Sequence, residues 1–93
     1  MEEKVDIKPY HGEINALKLN HWLQQLEVYF SIHHIEEGKK ISFAQLKLEG
    51  HALTWWESQT KTLRLEGEPA MTKWEDFKTL IKSQFYPIKY VED

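Results

Sequence analysis

From Asn15 onward, apolar residues recur at the spacing of an α-helix. Leu19, Trp22, Leu23, Leu26, Tyr29, Phe30 and His33 fall on one face of such a helix. The Asn15 side chain can accept from an orphan amide two or three residues on, so it is the expected N-cap. The helix is predicted to run to about His33 or His34. A second helix is predicted from roughly Glu37 to Glu49, with Ile41, Ala44 and Leu48 on one stripe and Phe43 and Leu46 widening it. Gly50 interrupts, since glycine tolerates the left-handed conformation used at helix ends. A third helix covers about His51 to Leu65. Residues 66–71, EGEPAM, form a loop by their glycine and proline. TKWE at 72–75 has the spacing of a capping box, with Thr72 as cap and Glu75 reaching back. Trp74, Phe77, Leu80, Ile81 and Phe85 then form the apolar stripe of a fourth helix, which Pro87 ends by biasing Tyr86 out of the helical region.

Ahead of these helices, residues 1–14 contain Pro9 and Gly12 and read as an extended arm. Val5 and Ile7 alternate there with charged neighbours, while residues 88–93 read as a tail. The expected architecture is all-α: a compact four-helix lobe over 15–87 with an extended N-terminal arm. Its core is expected to contain Trp22, Leu23, Leu26 and Phe30 from the first helix, and Ile41, Ala44 and Leu48 from the second. Ala52 and Trp56 join from the third, with Trp74, Phe77, Ile81 and Phe85 from the fourth.

Composition narrows the function. The chain has 93 residues, one domain's worth. Aromatics make up 13% of it, too many for a disordered segment. The net charge of −3 argues against a domain whose main work is neutralising phosphates, so direct nucleic-acid binding is not expected. Lys39, Lys40, Lys47, Lys61, Lys73, Lys78 and Lys82 are interspersed with acids and read as solvated faces. There is no cysteine, which excludes disulfides, thiolate clusters and cysteine nucleophiles. The N-terminus has no apolar run of signal-peptide type, and no stretch is long enough to span a membrane.

The five histidines, His11, His21, His33, His34 and His51, include no pair at the i, i+4 spacing that aims two imidazoles at one metal. No serine sits in a nucleophile elbow, and the four glycines are too scattered for a phosphate loop. No catalytic, cofactor-binding or metal-binding residue can be assigned, and an enzyme is not expected.

Two features remain. The first is the pair Trp55–Trp56. On the third helix Trp56 lies mid-face, as a core plug beside Ala52, whose small side chain permits close approach. Trp55 lies at the edge of the arc, where it seals a seam within the domain or lines a groove for a partner segment. Tyr29, Phe43 and Tyr10 are the other aromatics available to such a groove. The second feature is a fainter stripe opposite the main face of the first helix: Leu17, His21, Val28, Ile32 and Ile35. It suits either a contact with another subunit or partial cover by the arm and loop ends.

WLQQLEVYF (22–30), KKISFAQLKLEGHALTWWES (39–58) and KWEDFKTLIKSQFYP (73–87) together resemble the gag protein of Ty3/gypsy-type long-terminal-repeat retrotransposons. The residues carrying the resemblance are Trp22, Leu23, Leu26, Glu27, Phe30, Ala44, Leu48, Gly50, Ala52, Trp55, Trp56, Trp74, Phe77, Phe85 and Pro87, preceded by Tyr10-His11-Gly12. The pattern is also similar to the N-lobe of the domesticated gag protein Arc. The resemblance implies the N-terminal lobe of a capsid protein. Such a lobe is a structural, homo-oligomerising element of cytoplasmic virus-like particles, with other gag or capsid subunits as its partners. It also implies that a second helical lobe usually follows. This chain ends soon after Pro87 and has no zinc knuckle, which bears against autonomous assembly and RNA packaging. Likeness to Arc implies an alternative role, holding short peptides in an apolar groove.

Overall fold

The computed structural model describes residues 7–86 as four helices around one core. These are α1 (Ala16–Ile32), α2 (Glu37–Gln45), α3 (Gly50–Leu65) and α4 (Trp74–Phe85). Val5, Pro87 and the predicted tail lie outside the described residues.

α1 starts where its sequence provides a cap: the Asn15 side chain accepts from the Lys18 amide at 3.1 Å. It stops with His33 as C-cap and His34 left-handed at φ 53°, while the Ile35 amide donates to the Phe30 carbonyl at 3.0 Å. This is a Schellman closure with histidine in the position glycine usually takes. It folds Ile35 back onto the core.

α2 is shorter than its periodicity suggests, ending at Gln45 instead of near Glu49. The reason lies 37 residues upstream. The Tyr10 amide donates to the Lys47 carbonyl (2.8 Å), and the Tyr10 carbonyl accepts from the Glu49 amide (3.0 Å). Tyr10 and Leu48 thereby form a parallel bridge, which draws residues 47–49 out of helical geometry. Leu48 stays buried, but Leu46 is turned out to 77% exposure instead of widening the apolar stripe. The arm therefore contributes to the core, with Ile7 and Tyr10 both buried. Gly12, at φ 97°, turns the chain from the arm toward α1. A Cβ there would lie 2.9 Å from the Ala52 amide nitrogen, so both conformation and space require glycine.

α4 begins at Trp74, and Thr72 does not cap it: the N-cap position is Lys73, without a side-chain cap bond. The acceptor comes from another helix. Glu37, in the first turn of α2, takes the Trp74 amide on Oε2 at 2.8 Å. Glu75 is exposed and pairs with Lys78 at 3.1 Å. Sequence-local capping rules miss this arrangement because the cap crosses 37 residues of chain.

At the centre stands Phe77, fully buried. Its ring stacks on Trp74 (5.1 Å) and meets Trp56 edge-on (5.2 Å), with Trp22 at 6.4 Å. Phe30 meets Trp74 edge-on at 5.0 Å. Such edge and offset arrangements satisfy the ring quadrupoles and add to the effect of area burial.

Candidate interaction surfaces

The aromatics considered for a groove divide among different places. Tyr10 is buried between Trp22 (5.5 Å, tilted) and Phe85 (5.5 Å, edge-on), and its hydroxyl donates to the Glu13 carbonyl. Burial, with the Glu13 charge adding to it, pushes the phenol pKa well above its ordinary value. Tyr29 and Phe43 stack on each other at 4.6 Å, with His33 at 4.3 Å from Tyr29. They stand half-buried where α1 meets α2. Trp55, also half-buried, lays its ring edge-on to Phe85 at 5.2 Å and closes the seam between α3 and the end of α4. Among the described residues, these four line no common depression. Trp56 itself is buried in the core.

A groove does exist elsewhere. Beyond Trp56 the inward residues of α3 are only half-buried, Gln59 and Leu63. The loop that returns to α4 passes by with the small residues Gly67 and Ala70. The result is a cavity of about 480 Å³ between α2, α3 and that loop. Ile41, Trp56, Leu63 and Met71 give it apolar walls, while Ser42, Gln45, Arg64 and Glu68 supply polar ones. Periodicity could flag Leu63 and Met71 as inward-facing. It could not show that nothing bulky covers them.

The outer face of α1 is the second surface. Leu17, Val28 and Ile32 are 76%, 50% and 57% exposed, and His21 is exposed between them. Ile35 leaves this face, because the Schellman closure turns it inward. The 17 residues of α1 include two with formal charge, Lys18 and Glu27, and both are paired within the lobe. Lys18 pairs with Glu13 at 3.2 Å. Glu27 turns toward α4, where Oε2 accepts from Trp74 Nε1 (2.9 Å) and Lys78 Nζ (2.6 Å). A shallow depression lined by His21, Gln24, Gln25 and Val28 lies along the same face.

Several charged side chains tie the helices together. Burial pushes Glu27 up, but the bonds from Lys78 and Trp74 outweigh it and hold its pKa below the ordinary value. Lys78 is raised in turn, its desolvation more than offset by Glu27 and Glu75. The Trp74 amide lowers Glu37. Lys39 and Lys40 pair with Glu36 and Glu37. Among the described residues, no cluster of three or more metal-binding side chains exists. Nor is any of their helices long and apolar enough to cross a membrane.

The model of one family, described as the N-terminal capsid-like domain of the retrotransposon-derived protein PEG10, matches residues 4–86. The chain belongs to this family. It is an N-terminal capsid-like domain of Ty3/gypsy-type gag descent, and the resemblance drawn from residues 10–87 points to the same lineage. No curated protein and no solved structure matches it. The match takes in all four helices and Tyr10, the arm residue that bridges to Leu48. Membership places the chain among structural domains, not catalytic ones.

Proposed function

We propose that this capsid-like lobe acts as an assembly subunit, contributing homotypic contacts to virus-like particles in the cytoplasm. The observation that carries the reading is the outer face of α1, which exposes Leu17, Val28 and Ile32 without a formal charge among them. Exposed apolar stripes on soluble domains mark contact surfaces. Individually weak contacts repeated by symmetry suffice to build a closed shell. The test uses a gag polyprotein carrying this lobe, with Val28→Lys and Ile32→Lys introduced together. Particles are expected to be lost in negative-stain electron microscopy while the lobe keeps its helical circular dichroism. Normal particles from the double variant would refute the role of this face.

A second reading rests on the 480 Å³ groove of α2, α3 and their neighbouring loop, which has the size and mixed lining of a site for a short peptide with an apolar anchor. Trp56 lines it, so an occupant should shift intrinsic tryptophan emission. Titration with a panel of short apolar-anchored peptides, with Leu63→Lys as the blocked control, tests this. Spectra unchanged by every peptide would remove the reading.

A further inference from the structure

We infer that the α1 face pairs with the α1 face of a second copy of this chain, antiparallel about a two-fold axis passing between Gln24 and Gln25. The inference rests on the assembly reading and adds to it the partner and the register. Three observations select a second copy. First, the stripe is self-complementary. Antiparallel pairing about that axis sets Leu17 of each copy beside Ile32 of the other and His21 beside Val28. Gln24 and Gln25 amides then face each other at the centre, where they can exchange hydrogen bonds. Every large apolar side chain exposed along α1 is thereby covered. Second, Leu17, His21, Gln24, Gln25, Val28 and Ile32 include no Lys, Arg, Asp or Glu to repel a second copy. The flanking charges, Lys18 and Glu27, are already engaged within their own lobe. Third, the depression lined by His21, Gln24, Gln25 and Val28 is centred on the proposed axis, so the depressions of the two copies face each other and leave room there for the Gln24 and Gln25 amides.

Antiparallel alignment also opposes the two helix dipoles. From Leu17 to Ile32 the seam is about 22 Å long, at 1.5 Å per residue. One helix face of that length buries well under the area of a stable standard interface, about 800 Å² per partner. The pairing is therefore weak in isolation and becomes effective when many copies are held together.

The chain has no cysteine, so a single engineered thiol is its only one. Gln24→Cys puts it beside the axis. Glu57→Cys puts it on an exposed position of α3 as a control. A short bismaleimide can bridge packed helices, whose axes lie about 8–10 Å apart. At high protein concentration, Gln24→Cys should cross-link about tenfold faster than Glu57→Cys, because pairing raises the effective thiol concentration. Adding Val28→Lys should abolish the difference while the thermal melt stays cooperative. Equal rates for the two thiols, or an advantage for Gln24→Cys that survives Val28→Lys, would overturn the pairing. The same thiols in the particle-forming polyprotein separate the two claims. Particles that require Val28 and Ile32 but show no Gln24→Cys cross-link would sink the two-fold register and leave the assembly role standing. Cross-linked lobes whose particles ignore Val28 and Ile32 would do the reverse.

Discussion

Removing the Glu27 carboxylate should cost this small domain a large part of its stability, mostly through one indole. Trp74 is buried, and its Nε1–H donates to Glu27 Oε2 at 2.9 Å. Glu27→Ala takes the acceptor from that partly buried donor, a penalty of about 1–3 kcal/mol. The Lys78 ion pair contributes less. Glu27 and Lys78 side chains are 42% and 20% exposed, so solvent screens the pair to about 0.5–1 kcal/mol. The combined loss is about 2 kcal/mol, which for a domain of this size lowers Tm by about 8–16 °C. The assay is thermal unfolding followed by circular dichroism, run as a double-mutant cycle with Trp74→Phe. Phenylalanine has no N–H to orphan, so in that background Glu27→Ala should cost only what the ion pair supplied. An equal cost in both backgrounds would refute the reasoning. Glu27→Gln keeps an acceptor and should fall between. The sign with pH follows from the direction of the shift. Glu27 has a folded pKa below its ordinary 4.5, so its stabilisation is fully present above that value. It fades as pH falls through the lower folded value, and the gap between wild type and Glu27→Gln should close in acid.

Capping of α4 separates a local rule from a tertiary one. Glu37→Ala should lower Tm and Thr72→Ala should leave it unchanged, since the Trp74 amide is taken by Glu37; the opposite ranking in a thermal melt would restore the local capping box. His34 holds a left-handed conformation that disfavours a Cβ. His34→Gly should therefore stabilise by about 0.5–1 kcal/mol in chemical denaturation, after allowing for the added freedom of glycine when unfolded. Gly12→Ala should destabilise by about 2 kcal/mol or more, because strain at positive φ adds to the clash with Ala52. A melt within one degree of wild type would show that this turn relaxes freely.

Periodicity alone determined the four helices and most of what they bury. Leu19, Trp22, Leu26 and Phe30 on α1, and Trp74, Phe77, Ile81 and Phe85 on α4, are inward because a 3.6-residue repeat leaves them on one side. Asn15 was legible as a cap because its bond spans three residues. The stripe of Leu17, Val28 and Ile32 was legible for the same reason, as a second periodicity on the same helix. What tertiary structure decided involves partners distant in the chain. Whether Leu46 is buried depends on Tyr10 drawing residues 47–49 out of the helix. Whether Thr72 caps α4 depends on Glu37, and whether Ile35 joins the outer stripe depends on how His34 closes α1. The adjacent tryptophans show both sides of this division. Their spacing put Trp56 inward and Trp55 at the edge, but only the docking of α4 set Phe85 against Trp55 and made it a seam. Backbone repeat is a local property and can be read along the chain. Hydrogen-bond partners across 37 residues, and the empty volume beside Leu63, exist only once the helices have packed.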